Sequence, residues 1–121
     1  MEKKNIDWGN LGFGYVKTDY RYVSNYKDGK WDEGGLTTDD MVTISECAGV
    51  LQYAQTVFEG MKAYTTEDGH IVTFRPDLNA ERIAASAARL EMPVFPKERF
   101  IDAVEQVVKA NAAWVPPYGS G

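Results

Sequence analysis

Residues 74–90, FRPDLNAERIAASAARL, decide how this chain of 121 residues is organised. After Pro76 the apolar residues Ile83, Ala84, Ala87 and Leu90 recur at helical spacing, while Arg82, Ser86 and Arg89 line an adjacent face. Asp77 is the expected N-cap, and Met92-Pro93 closes the helix because a residue before proline avoids the helical region. A second helix follows. Phe100, Ile101, Val104, Val107, Val108 and Ala112 form one stripe, opposed by Asp102, Glu105, Gln106 and Lys109, with Glu105 and Lys109 a modest i,i+4 pair. It stops near Trp114, since Pro116-Pro117 cannot continue it.

Upstream of residue 74 the pattern is β-rich. YRYVSNY and KWDEG flank Lys27-Asp28-Gly29-Lys30, and an Asp-Gly pair suits a tight hairpin because glycine accepts positive φ. MKAYTTE and HIVTFR repeat the logic around Asp68-Gly69, with Arg75 ending the strand. MVTIS, 41–45, is a further short β-branched run. These elements predict an α+β fold, an antiparallel sheet with two amphipathic helices. The closing PPYGSG is loop-like, and its place just after a helix reads as a chain cut between elements.

Composition narrows the function. With 44% hydrophobic and 26% charged residues the chain has the makings of a folded globular unit, too short for two ordinary domains. A net charge of −5 with scattered Lys and Arg argues against nucleic acid as a partner. No apolar run follows the charged start, so neither a secretory signal nor a membrane span is read there, and cytoplasm is the default compartment. Cys47 and His70 stand alone of their kinds, which removes disulfide, zinc and thiol-nucleophile readings; Cys47 is expected to be buried or half-buried.

Among the remaining residues Arg82 stands out, early in a helix whose neighbour Ile83 faces the core. Its guanidinium could grip a phosphate or carboxylate through two parallel hydrogen bonds, or it could be a solvated surface arginine. Arg89 is open in the same way. Phe13, Tyr53 and Phe58 could wall an apolar pocket or belong to the core. Lys62, by strand alternation, reads as a surface ammonium, and His70 as exposed. Glu59, before a glycine in an expected turn, would cap local backbone donors.

The motifs become specific when taken together. QYAQTVFEGMKAY (52–64), FRPDLNAERIAASAARLEMP (74–93), the helix ending in NAAWVPP (111–117) and the opening LGFGYVKTDYRYVSNYKDGKW (11–31) closely resemble, in order, the amino-terminal part of branched-chain amino acid aminotransferases, which are fold-type IV pyridoxal-phosphate enzymes. Tyr20 and Gln52 stand where that family often has histidine. The resemblance implies that residues 1–121 are the small amino-terminal domain. Arg82 would hold the phosphate of pyridoxal 5′-phosphate, and Phe13, Tyr53 and Phe58 would line the pocket for leucine, isoleucine and valine side chains. Glu59, Gly60 and Lys62 would be scaffolding, with the glycine permitting a sharp bend. No catalytic residue falls in this chain, because the family's cofactor-bearing lysine would lie beyond Gly121, in a carboxy-terminal domain. The implied reaction is ping-pong transfer of an amino group to 2-oxoglutarate, in a homodimer, with the 121-residue piece inactive alone. Another fold-type IV enzyme, such as a D-amino acid aminotransferase or aminodeoxychorismate lyase, and a non-catalytic dimerisation module are the alternatives.

Overall fold

The computed structural model describes residues 2–120. After a 3-10 turn at Trp8–Asn10 the chain passes through a further turn at residues 12–13 into two nested antiparallel ladders: β1, Arg21–Val23, pairs with β4, Gly35–Thr37, and between them β2, Tyr26–Lys27, pairs with β3, Lys30–Trp31. Asp28 and Gly29 both have positive φ, 54° and 82°, the signature of a type I′ turn whose twist matches that of the strands. The Asp-Gly signal is thus borne out. Between the ladders the Asp32 carboxylate accepts from Ser24 Oγ at 2.8 Å and from the Asn25 and Gly34 amides at 3.1 and 3.0 Å. Those bonds, Ser24's first, hold its pKa below the usual carboxylate range. Gly34 cannot be another residue without strain: its φ is 68°, and a Cβ there would lie 2.6 Å from the Tyr22 hydroxyl.

The second expected hairpin is also present. β5, Ala63–Thr65, pairs with β6, Ile71–Thr73, around a loop in which the Thr66 amide donates to His70 O at 2.7 Å and Gly69 takes φ 87°. Both strands are shorter than their β-branched runs suggest. The one sheet that the sequence predicts is instead three two-stranded ladders among the described residues, because no neighbouring strand here extends any of them. The 41–45 run forms no strand, and Met41, Val42 and Ile44 are exposed.

A short helix that the pattern did not announce, α1 at Gly49–Tyr53, precedes the two expected ones, α2 at Pro76–Arg89 and α3 at Lys97–Ala110. Two local expectations change at the start of α2. Arg75 does not end β6, which stops at Thr73; it is the N-cap, in the left-handed region at φ 47°, with Pro76 pre-set for the first helical position. Asp77 is consequently inside the helix and caps nothing. Its carboxylate instead takes Arg75 Nε at 2.9 Å and Nη2 at 2.8 Å, and this pair draws its pKa down to about 2. At the other end Glu91, φ 57°, turns the chain, and the amides of Glu91 and Met92 donate back to Ala88 O and Ala87 O at 3.1 and 2.8 Å. This reciprocal closure satisfies carbonyls that a helix end otherwise orphans.

α3 packs on α2 and on the β1–β4 ladder. Its Arg99 Nη2 donates to the carbonyls of Asp32 and Glu33 at 2.6 and 2.9 Å, and Trp31 Nε1 donates to Val94 O at 3.0 Å, so the first hairpin is tied to the α2–α3 link. The Glu105–Lys109 pair forms, at 2.6 Å. Beyond α3 the Asn111 side chain accepts from the Tyr20 amide at 2.9 Å and donates to Tyr20 O at 2.7 Å; Lys4 N donates to Ala113 O at 2.8 Å.

The buried apolar residues among those described are small ones, Ala80, Ala87, Ala112 and Val115, and Leu90 of the predicted stripe is exposed. Cys47 is exposed too, against expectation, because it lies in the loop leading into α1 rather than on a packed face. The surface is 9103 Å², whereas a compact monomer of this size exposes about 6,500 Å². The excess is large compared with the roughly 800 Å² that one partner contributes to an ordinary protein–protein interface.

Candidate functional site

α1 ends at Tyr53, and Ala54, φ 52°, redirects the chain into an extended run that lies along α2. Two contacts fix its direction. Gln55 Nε2 donates to Leu90 O at 2.9 Å near the C-terminal end of α2, and Glu59 reaches Asn79 and Arg82 near its beginning. Four residues of extended chain cover about 13 Å and eight helical residues about 12 Å, so the two elements run antiparallel in step. Phe58-Glu59-Gly60 is accordingly extended and not a turn. Gly60 is not required for a bend, since its φ is not in the left-handed region; its part is to offer a carbonyl to Asn79.

Where the run meets α2 lies a polar cluster. Asn79 and Arg82, three apart and therefore on one face of the helix, both point at Glu59. Asn79, buried, spends its two Nδ2 hydrogens on Glu59 Oε1 at 2.8 Å and Gly60 O at 3.0 Å. Arg82 donates through Nε to Glu59 Oε2 at 2.8 Å and through Nη2 to Glu59 Oε1, a fork-on-fork pair. The carboxylate side chain is only 5% exposed, while that of Arg82 is 67% exposed. The Arg82 hydrogen bonds, then that from Asn79, hold the Glu59 carboxyl below its ordinary pKa, and the same bond raises that of Arg82. Glu59 therefore does not cap local backbone donors, because a guanidinium and an amide from α2 take its oxygens first. Nη1 of Arg82 donates to nothing among the described residues, which leaves the outer edge of the fork open.

The other singled-out residues fall around this cluster unequally. Phe58 is the chain neighbour of Glu59 and turns outward, 88% exposed; Tyr53, at the end of α1, is 86% exposed, and Phe13 is fully in solvent. They do not close a pocket within this chain. A separate apolar cavity of about 490 Å³ lies between the hairpins and helices, with Tyr22, Trp31, Met61, Phe95, Phe100 and Val104 among its walls. None of Phe13, Tyr53, Phe58 or Arg82 lines it. Lys62 is exposed as expected. His70 is exposed, but it has a partner the sequence did not reveal, Asp68 Oδ2 at 2.8 Å. Arg89 is exposed, and Arg75 is engaged by Asp77. Among the described residues no group of His, Cys, Asp and Glu could hold a metal ion.

Asn79 is the site residue that sequence reasoning missed, and Glu59 was singled out for a cap and for scaffolding rather than as the acceptor of α2 side chains. The i,i+3 spacing of Asn79 and Arg82 was a usable signal for Asn79; nothing local marked Glu59 as their acceptor.

No protein-family model matches the chain. It is, however, 56% identical over 118 residues to a branched-chain-amino-acid aminotransferase of Haemophilus influenzae, covering 98% of this chain and 34% of that protein. The corresponding enzyme of Helicobacter pylori is 46% identical over 98% of this chain and 35% of its own length. A methionine aminotransferase of Arabidopsis thaliana is 45% identical over 97% of this chain and 33% of its own. The resemblance carried by the motifs is thus borne out along almost all of the chain, which spans about a third of the length of the curated relatives it matches.

Proposed function

We propose that this relative of the branched-chain-amino-acid aminotransferases is the small amino-terminal lobe of a pyridoxal-phosphate enzyme. That enzyme moves an amino group between leucine, isoleucine or valine and 2-oxoglutarate. The observation that carries the reading is the open edge of Arg82. A guanidinium stays protonated at any working pH, and a fork held along one edge by Glu59 presents the other to solvent, where it fits a phosphate dianion. The phosphate end of the cofactor therefore suits the donors present, and its covalent attachment is assigned to a lysine of a carboxy-terminal domain.

When bound, the cofactor supplies the electron-withdrawing ring that eases removal of the amino acid's Cα proton. This chain's own part is binding and shielding. Arg82 holds the phosphate and so sets the ring's orientation. Phe13, Tyr53 and Phe58 form an apolar wall that favours branched aliphatic side chains and, once the opposite wall covers it, keeps water out. The exposed aromatics and the excess surface support a covering domain and a second copy of the chain, as in a homodimer. No helix among the described residues is long and apolar enough to cross a membrane, and the cytoplasm is the proposed compartment.

A second reading, favoured by the Arabidopsis relative, gives the wall a linear thioether side chain. An apolar wall separates such substrates only weakly, since one methylene is worth roughly 1–3 kcal/mol. The test uses the full-length protein. Arg82→Ala weakens pyridoxal-phosphate binding by roughly 1.5–3 kcal/mol, read by equilibrium dialysis; unchanged affinity removes the assignment. Glutamate formation from 2-oxoglutarate with leucine, isoleucine, valine and methionine decides between the substrate readings.

A further inference from the structure

A carboxylate beside a phosphate site is electrostatically wrong. Two anions repel, and a site built for charge alone would leave the arginine free of acidic neighbours. Yet here Glu59 is held against Arg82 by three side-chain hydrogen bonds, two from the guanidinium and one from Asn79. The carboxylate is almost wholly sheltered from solvent, and Asn79, itself buried, anchors both Glu59 and the neighbouring Gly60 carbonyl. Such an arrangement has little use as a surface ion pair, whose two long side chains would ordinarily be mobile. It makes sense as a jig.

We infer that Glu59 is a positioning residue for anion binding: locked by Asn79, it fixes the Nε–Nη2 edge of Arg82 so that the Nη1 edge is aimed at the phosphate. This rests on the proposed phosphate role of Arg82. The physical trade is between electrostatics and order. An unpaired arginine on an exposed helix face samples many rotamers, and binding must freeze them; both Arg82 donors facing Glu59 are already immobilised before the ligand arrives. The cost is a negative charge on the far side of the guanidinium from the phosphate, where the intervening cation shields it. The depressed pKa of Glu59 agrees with a carboxylate that stays ionised across the working range.

The two effects give opposite signs, which makes the inference easy to break. Full-length apoprotein is titrated with pyridoxal phosphate in four forms: wild type, Glu59→Gln, Arg82→Ala and the double variant. Positioning predicts that Glu59→Gln, which removes charge at constant shape, weakens binding about tenfold, the scale of one lost charge-assisted hydrogen bond. It also predicts that the substitution adds nothing once Arg82 is alanine, and that the ³¹P resonance of the bound cofactor shifts. Tighter or unchanged binding in Glu59→Gln overturns the inference, as does an equal loss in the Arg82→Ala background. Should Glu59→Gln fail to fold, Glu59→Asp keeps the charge but withdraws it by one methylene. Weakened binding there supports positioning, and unchanged binding overturns it. An Arg82→Ala variant that binds normally defeats the phosphate reading itself; one that binds weakly beside a normal Glu59→Gln defeats only the inference.

Discussion

The polar and apolar halves of the candidate site are finished to different degrees. Glu59, Asn79 and Arg82 complete one another within this chain, with every short bond supplied by α2 or by the extended run beside it. Phe13, Tyr53 and Phe58 come from three separate segments and face solvent. Directional hydrogen bonds can be satisfied pairwise by a few neighbouring groups, so a polar cradle can be built from one helix face and one strand-like run. Burial of apolar surface needs area on both sides, and an apolar wall stays open until a second surface meets it.

The largest effect that would test this contrast is already described, the loss of cofactor affinity in Arg82→Ala. Next comes Phe58→Ala in the full-length protein. If Phe58 is half of a wall, kcat/KM for leucine falls by about tenfold or more, because burying a side chain of that size is worth roughly 1.5–3 kcal/mol. An unaltered value would mean that the residue remains a solvated aromatic and that the wall lies elsewhere. Ala80 sits on the finished side of the comparison, completely buried in α2. Ala80→Leu is expected to destabilise the protein by about 1–3 kcal/mol through overpacking, measured by urea unfolding.

The smallest effect is a titration. Asp77 has a folded pKa of about 2 against an ordinary 3.8. A depressed folded pKa means that the Arg75–Asp77 pair contributes fully above the ordinary value and is lost as pH falls from about 4 toward 2. The ¹³C resonance of the Asp77 carboxyl in the folded protein should titrate with its midpoint at the bottom of that window, and Asp77→Asn should flatten the stability change across it. A midpoint near 3.8 would show the pair to be absent in solution.

How much of this was legible depended on the range of the interaction concerned. α2, α3 and the two Asp-Gly turns are set by residues within a few positions of one another, and each was readable from period or turn chemistry. α1 escaped because five residues, GVLQY, are too few to display a helical period. Asp77 was misread because a cap preference is a competition, and the Arg75 guanidinium two residues away outbids a backbone amide for its oxygens. Strand lengths depend on neighbouring strands, and each ladder among the described residues has only two. The bonds of Glu59 join it to Asn79 and Arg82, 20 and 23 positions further on, so the chain must fold back before they can form. The family motif singled out Arg82, and on the same helix face the structure supplies a partner that the motif did not announce, Glu59.

The clasp between the first and last stretches of the chain has a kinetic consequence. Lys4 meets Ala113, and Tyr20 meets Asn111, across nearly the entire sequence. Drawing together ends separated by about a hundred residues costs on the order of 4 kcal/mol of chain entropy, plus a constant, before any contact rewards it. On that ground residues 4–20 are expected to dock after the helices and hairpins that receive them, and to be among the first to come away when the molecule is stressed.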